Sequence, residues 1–238
     1  MKIFDFDIEK GIYRFESNGL YTEPHAHPVV EIVTALQGTF SLECNGQQTD
    51  GLVFAIVDAN IAHRLVSENA SLGMLMLESH NGLLTEYFKA KGLLLDEGCC
   101  LKTECAERKL LFEAIHAVAV SADLKTPTDK RVAQCIDDIQ THTSEKDPEV
   151  KTLAAKVGLS DSRLSHLFKE HIGISIKKYL VWDKLRRAMY GFLDKEGNFT
   201  TVSLQGGFFD QAHFSNAFKS VLGIAPSKAY RNSSSLQS

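Results

Sequence analysis

Two stretches decide the fold: LAAKVGLSDSRLSHLFKEHIGI, residues 153–174, and VSLQGGFFDQAHFSNAFKSVLGI, residues 202–224. They are copies of one pattern. Gly158 and Gly207 stand 49 residues apart, while Leu164 and Phe214, Phe168 and Phe218, Lys169 and Lys219, and Gly173 and Gly223 all stand 50 apart. The second copy therefore has one extra residue in its turn. Each copy reads as two helices joined at a glycine, where a positive φ is cheap only without a Cβ. Ser160 is placed to cap the helix after the turn, and Asp161 and Asp210 put an acid at that helix's start. Leu164, Leu167 and Phe168 then recur at helical spacing, as do Phe214, Ala217 and Phe218, so one face of each second helix is apolar. Two copies are too few for a solenoid.

The opposite faces are polar. The first unit would expose Ser162, Arg163, Ser165, His166 and Lys169, and the second Gln211, Ala212, His213, Ser215, Asn216 and Lys219. Short side chains able to hydrogen-bond base edges, with a lysine farther along for phosphate, suit a helix in the DNA major groove. Any one of these residues alone is better explained by a solvated helix face. The repeat raises them together.

Residues from about 130 to 231 closely resemble the DNA-binding domain of the AraC/XylS transcription regulators. The resemblance rests on Gly207-Phe208-Phe209-Asp210-Gln211-Ala212-His213-Phe214-Ser215, Phe218-Lys219, Gly223-Ile224-Ala225-Pro226-Ser227 and Tyr230-Arg231, and on Ser162 through Lys169 in the first unit. It implies two helix-turn-helix units held by a linking helix over about residues 175–192, around Trp182, Leu185 and Ala188. Their recognition helices would enter successive major grooves about 34 Å apart. It also implies double-stranded DNA and RNA polymerase as partners, and usually promoter activation. Lys177, Lys178, Arg186 and Arg187 are then expected at phosphates. Phe209 departs from the family's usual capping Ser, Ser203 from Ala and Lys184 from Arg. The resemblance thus implies a second unit weaker by about 1 kcal/mol, unless Asp210 takes over the cap.

Charge agrees with this division. Residues 1–127 carry 10 Lys+Arg against 18 Asp+Glu, and residues 128–238 carry 16 against 12, within a total of −4. An acidic half joined to a basic half is what a sensor fused to a polyanion binder shows.

The first 78 residues read as strands: Glu31–Leu36, Thr39–Cys44, Leu52–Val57 and Met74–Leu77, with turn signals at Gln37-Gly38, Asn45-Gly46 and Asp50-Gly51. Asn45-Gly46 is a strong hairpin signal. Within them lies Gly19-x5-His25-x-His27-x3-Glu31-x6-Gly38, which resembles the first motif of the cupin barrels. His25, His27 and Glu31 share one parity on an extended chain and so face one side. His63 is the natural fourth member, although the second cupin motif is degenerate around it. This set would suit a divalent metal such as Zn, Fe, Mn or Ni, a pocket for an organic effector, or a hydrogen-bonded structural cluster.

The expected fold is thus two-domain. Residues 1–80 would form an all-β cupin-like sensor barrel, 81–127 a helical linker or dimerisation segment, and 128–238 an all-α domain with two helix-turn-helix units. Leu83, Leu84, Tyr87 and Phe88, then Leu110, Leu111, Ile115 and Val118, mark the linker helices, and Ser121–Asp129 the connection. Asp147-Pro148-Glu149 is expected to start a helix, with the Asp as cap. The expected function is a DNA-binding regulator controlled by a small effector, without catalytic activity. The alternative is a metal-dependent cupin enzyme or a metal or thiol sensor fused to a DNA-binding domain. Cys99, Cys100 and Cys105 read as reduced structural thiols, a thiol sensor or a soft-metal site. The first ten residues lack a secretory signal's basic start and apolar core, and no run is long enough to span a membrane. The chain is expected in the cytoplasm, in dimeric form by family resemblance.

Overall fold

The computed structural model of this protein describes residues 2–142, 147–194 and 199–231. They form two compact units, residues 125–217 and residues 2–124 with 218–231. The N-terminal part is sheet-rich and the C-terminal part helical, as expected.

Eight antiparallel strands build the N-terminal sheet: β1 Lys2–Asp7, β2 Ile12–Tyr21, β3 Val30–Gln37, β4 Phe40–Cys44, β5 Gln47–Leu52, β6 Phe54–Val57, β7 His63–Leu77 and β8 Cys99–Lys102. Their order is β1-β2-β7-β3-β6-β8. The 15-residue β7 organises the sheet: its second half pairs with β3 and its first half with β4, while β2 runs along its other edge. Asn45 and Gly46 both adopt positive φ, 51° and 80°, and make the tight β4–β5 hairpin. β8 lies in a segment expected to be purely helical, and pairs with β6 from Phe54↔Lys102 to Val57↔Cys99.

The first six residues of β3 are buried without alternation, because both of its faces are covered. One face, with Val30 and Ile32, packs with Phe54, Ile56, Leu75 and Leu77 against helices α1 (Leu83–Ala90) and α2 (Arg108–Ser121). Leu84, Phe88, Phe112, Ile115 and Ala119 are the helical side of that core. Leu110, expected on the apolar face, is instead 72% exposed. Glu31 and Val33 point the other way, into the sheet's interior.

The helical part comprises α3 Lys130–Gln140, α4 Val150–Lys156, α5 Asp161–Ile172, α6 Ile176–Asp194, α7 Phe199–Gln205, α8 Gln211–Leu222 and the short α9 Pro226–Arg231. Helix α3 starts at Asp129, whose carboxylate accepts from the Arg131 amide. The expected start of α4 needs correction. Its cap is Glu149, without a side-chain cap bond, because the Asp147 carboxylate is taken up by Lys184 at 2.8 Å. The linking helix is α6, buried through Trp182, Leu185 and Ala188. Where α7 crosses it, Gly206 leaves no room: a Cβ there would lie 2.7 Å from that of Ala188 and 3.0 Å from the Lys184 carbonyl. No described helix is long and apolar enough to cross a membrane.

Candidate functional site

The two expected recognition helices are α5 and α8. Gly158 and Gly207 end the preceding helices at φ 68° and 89°. Ser160 caps α5 by accepting from the Arg163 amide at 3.3 Å. In the second unit Asp210 does the same for the His213 amide at 2.7 Å. The cap expected to be lost with Phe209 is therefore present, one residue later, and Phe209 itself is left 85% exposed.

Leu164, Leu167, Phe168 and Ile172 bury one face of α5, while Ser162, Arg163, Ser165, His166 and Lys169 all lie exposed on the other. On α8, Phe214 and Phe218 are buried; Gln211, Ala212, His213, Asn216 and Lys219 are exposed and Ser215 is half-buried. Two of these are tethered within the protein. Gln211 accepts a hydrogen bond from the Thr200 hydroxyl at 3.1 Å, and the His213 ring stands edge-on to Phe208 at 5.2 Å. Asn216 and Lys219 are the more open pair.

The expected phosphate contacts on α6 need a correction. Lys177 and Lys178 are exposed, but Arg186 is 1% exposed and bound to the equally buried Asp183 at 2.5 Å. Arg187 reaches the other oxygen of that carboxylate at 2.8 Å. Arg186 is thus part of the helix core. Its carboxylate lies one turn back on the same helix, and that spacing is readable in the sequence as Asp183-x2-Arg186.

The second cluster is inside the sheet. His25 and His27 lie on an extended segment between Pro24 and Pro28, whose rings bias their predecessors away from helix. His25 and His63 exchange both backbone hydrogen bonds, at 3.0 and 2.9 Å. This pairing brings His63 to the other two despite its late position. The three rings each offer a nitrogen within 4.8 Å of the others, and all are buried. Glu31 Oε2 stands 3.5 Å from His27 Nε2 and 3.0 Å from His63 Nε2.

Every ring is oriented by a backbone carbonyl two residues away. The Nδ1 of His25, His27 and His63 lies 2.9, 3.0 and 2.8 Å from the carbonyls of Glu23, Val29 and Ile61. A carbonyl only accepts, so each Nδ1 carries a hydrogen and Nε2 is left as the free nitrogen. The Nε2 atoms of His27 and His63 are buried without an aligned hydrogen-bond partner. Burial acts to raise the Glu31 carboxyl, but the His27 and His63 rings outweigh it and hold the group well below the usual carboxylate range. Burial, then the neighbouring His63 and His27, lower His25 to about 3. Burial also acts to lower His63, yet Glu31 beside it raises it on balance.

These features fit a divalent cation. With metal–ligand bonds of about 2.0–2.2 Å, neighbouring ligand atoms stand about 3.0–3.5 Å apart, the range spanned by Glu31 and its two histidines. The carbonyl-anchored Nδ1 is the usual orienting partner of a metal-binding imidazole.

The three cysteines that are close in sequence separate in the fold. Cys100 packs in the core beneath the helices, with Cys105 against it. Cys99 instead faces the interior. Its ladder partner is Val57, and Val57's other partner is Glu31. Cys44, opposite His63 on β7, lines the same cavity as Cys99. Each thiol is the first cause of the other's shift: Cys99 raises Cys44, and Cys44 lowers Cys99. The reading of the sequence missed Cys44 because its partner arrives on β8, an unanticipated strand.

Comparison with known proteins follows the same division. Residues 153–232 match the family described as a helix-turn-helix domain. The arabinose operon regulatory protein of Escherichia coli (strain K12) is 33% identical over 110 residues, covering 46% of this chain and 38% of that protein. The Msm operon regulatory protein of Streptococcus mutans is 34% identical over 79 residues, 33% of this chain and 28% of that protein. The chain thus spans well under half the length of these curated relatives. Apo ToxT from Vibrio cholerae strain SCE256 superposes with a TM-score of 0.61 at 12% identity, over 92% of this chain and 96% of that one. The unsaturated fatty acid-bound wild-type ToxT does so with a TM-score of 0.53 at 13% identity, over 92% and 93%. At these identities the likeness is one of fold.

Proposed function

We propose, on the premise that residues 153–232 are an AraC-type helix-turn-helix domain, that this chain is a sequence-specific DNA-binding transcription regulator. The observation that carries the reading is the duplicated unit itself. Two helices, α5 and α8, are each capped, buried on one side and left polar on the other. The base-reading residues are Ser162, Arg163, Ser165 and His166 in the first unit and Gln211, Ala212, His213, Ser215 and Asn216 in the second. Lys169 and Lys219 supply phosphate contacts. Short polar groups on a rigid helix can match base edges in the major groove, while the lysines add affinity without sequence preference. The duplex is read as two elements about one helical turn apart.

The regulator works in the cytoplasm, most simply as a promoter activator touching RNA polymerase, and as a homodimer through residues of the 81–127 segment. Residues 1–80 are its sensor and residues 128–238 its DNA-binding part. It is a regulator rather than an enzyme, since turnover gives a duplicated helix-turn-helix no role. The relatives named after the arabinose and Msm operons are themselves regulatory proteins. ToxT bound to an unsaturated fatty acid supports a small effector on this fold.

The occupant best suited to His25, His27, Glu31 and His63 is a divalent cation. Bound there, it would supply positive charge to offset the Glu31 carboxylate. The residues do the rest. The three Nδ1–H groups hold the rings in place, and burial of all four side chains limits competing water. His63 at the start of β7, the extended segment of His25 and His27, and Glu31 on β3 are thereby drawn to one point. Occupancy shifts populations between DNA-binding arrangements in proportion to its preference for one of them.

Selection of duplexes from a random library by the purified chain tests the function. Enrichment of a two-part motif supports it. Salt-sensitive binding without any enriched sequence overturns it.

A further inference from the structure

We propose that Cys44 and Cys99 form a thiol oxidation site, which a hydroperoxide converts to an intramolecular disulfide. Two independent placements carry this. Strand register puts both side chains on the inward row, Cys44 opposite His63 and Cys99 opposite Val57. Both line one cavity of about 310 Å³, whose other walls include the polar Asn45, Asp96, Glu97 and Lys102. A small, water-borne oxidant therefore has a polar approach to sulfurs that are otherwise buried.

The turns that carry the thiols are tied together. The Asn45 side chain donates to the Glu97 carbonyl at 3.0 Å, so the residues next to Cys44 and near Cys99 are held in reach of each other. Both cysteines also stand at strand ends, Cys44 at the last residue of β4 and Cys99 at the first of β8. Closing the pair to a bond of about 2.05 Å then needs movement of strand termini, not of a ladder's middle. The remaining thiols are placed differently. Cys100 also borders the cavity, but it alternates with Cys99 along β8 and packs with Phe54 and Ile56 in the apolar core, with Cys105 against that core; Cys135 is fully buried in α3.

The chemistry balances with the hydroperoxide as the sole oxidant. One thiol sulfur attacks the peroxide's outer oxygen. The O–O bond breaks, the sulfenic acid forms, and the thiol proton leaves with the departing alkoxide as an alcohol. The second thiol sulfur then attacks the sulfenic sulfur. The S–S bond forms, the S–O bond breaks, and the hydroxyl takes the second thiol's proton to leave as water. Each disulfide consumes one peroxide. The assignment stands apart from the DNA-binding reading, since neither thiol lies in the helical part.

The test uses the reduced full-length chain, in chelator, treated with hydrogen peroxide and digested without reductant. The expected result is loss of two of the five thiols, one cross-linked peptide pair joining Cys44 to Cys99, and full recovery with dithiothreitol. In Cys44→Ser the Cys99 sulfenic acid, with no partner, is trapped by dimedone, and in Cys99→Ser the Cys44 acid is the one trapped. A link through Cys100, Cys105 or Cys135, a link between two chains, or five intact thiols in excess peroxide each overturns the proposal. The wild-type peptide map decides the matter even if a variant fails to fold.

Discussion

His63 Nε2 lies 3.0 Å from Glu31 Oε2, one residue from the start of β7 and the other from β3, with the imidazole's far nitrogen fixed to the Ile61 carbonyl. A neutral imidazole so oriented presents a lone pair to a carboxylate oxygen. That contact is stable only with a proton or a metal cation between them.

The cation reading makes a stoichiometric claim. Protein purified without a histidine tag is expected to carry, or take up, about one divalent ion per chain, and the double variant His25→Ala/His27→Ala to carry none. At a free-ion concentration about 100 times the Kd, binding stabilises the fold by about 2.7 kcal/mol, visible as a higher Tm that chelator reverses. A folded wild-type chain with neither bound metal nor a Tm response would move the site to an organic effector.

The metal-free cluster has its own pH signature. His25, brought to about 3 mainly by burial, stays neutral in the fold while the unfolded chain protonates near 6.5. Stability therefore falls as pH drops from 6.5 towards 3, by up to about 1.4 kcal/mol per unit. His63 is raised, so its contribution is fully present below 6.5 and is lost as pH rises through its folded value. Glu31 is depressed; it contributes above 4.5 and loses that contribution as pH falls through its folded value. In chelator, His25→Gln is expected to flatten the loss of urea stability between pH 6.5 and 4.5. Parallel curves for variant and wild type would remove the burial argument.

Asp183 holds two arginines of α6, the buried Arg186 and the part-exposed Arg187, and its removal takes a buried carboxylate from both. Asp183→Ala is expected to cost about 3–5 kcal/mol of unfolding free energy. Arg187→Ala, whose side chain is 37% exposed, should cost no more than about 1 kcal/mol. Equal urea midpoints for the two variants would contradict the buried-pair account.

The second unit's start rests on Asp210, not on the residue before it. Asp210→Ala should lose about 1 kcal/mol, while Phe209→Ser at an 85% exposed position should stay within about 0.5 kcal/mol. Denaturant titration of both variants distinguishes them, and the reverse ranking would place the cap at 209.

What was legible in the sequence follows physical locality. The Asn45-Gly46 hairpin, the glycine-ended helices and the one-residue offset of the second turn are set by neighbouring residues, and the structure has them. The shared parity of His25, His27 and Glu31 was readable from a period of two. Less local features were not. Cys99–Lys102 forms a strand only because β6 offers an unpaired edge to it, and four residues carry too little pattern to announce that. Arg186 looks like a surface cation until Asp183 and the α6 packing are in place. Asp147 looks like a cap until Lys184, 37 positions away, takes its carboxylate. Gly206, next to the turn glycine in sequence, serves the close crossing of α7 and α6, which no neighbouring residue announces.

The central claim is that α5 and α8 read duplex DNA. The most direct measurement is quantitative binding of the full chain to a duplex selected from random sequence, repeated with Arg163→Ala, Asn216→Ala, Lys169→Ala and Lys219→Ala. Arg163→Ala should relax base preference in one half of the motif and Asn216→Ala in the other, each at about 1–3 kcal/mol for the preferred base. The lysine variants should weaken all sequences alike and lower the salt slope by about one each. Unchanged preference and unchanged affinity across all four variants would contradict the account, and place the DNA-contacting surface elsewhere on the chain.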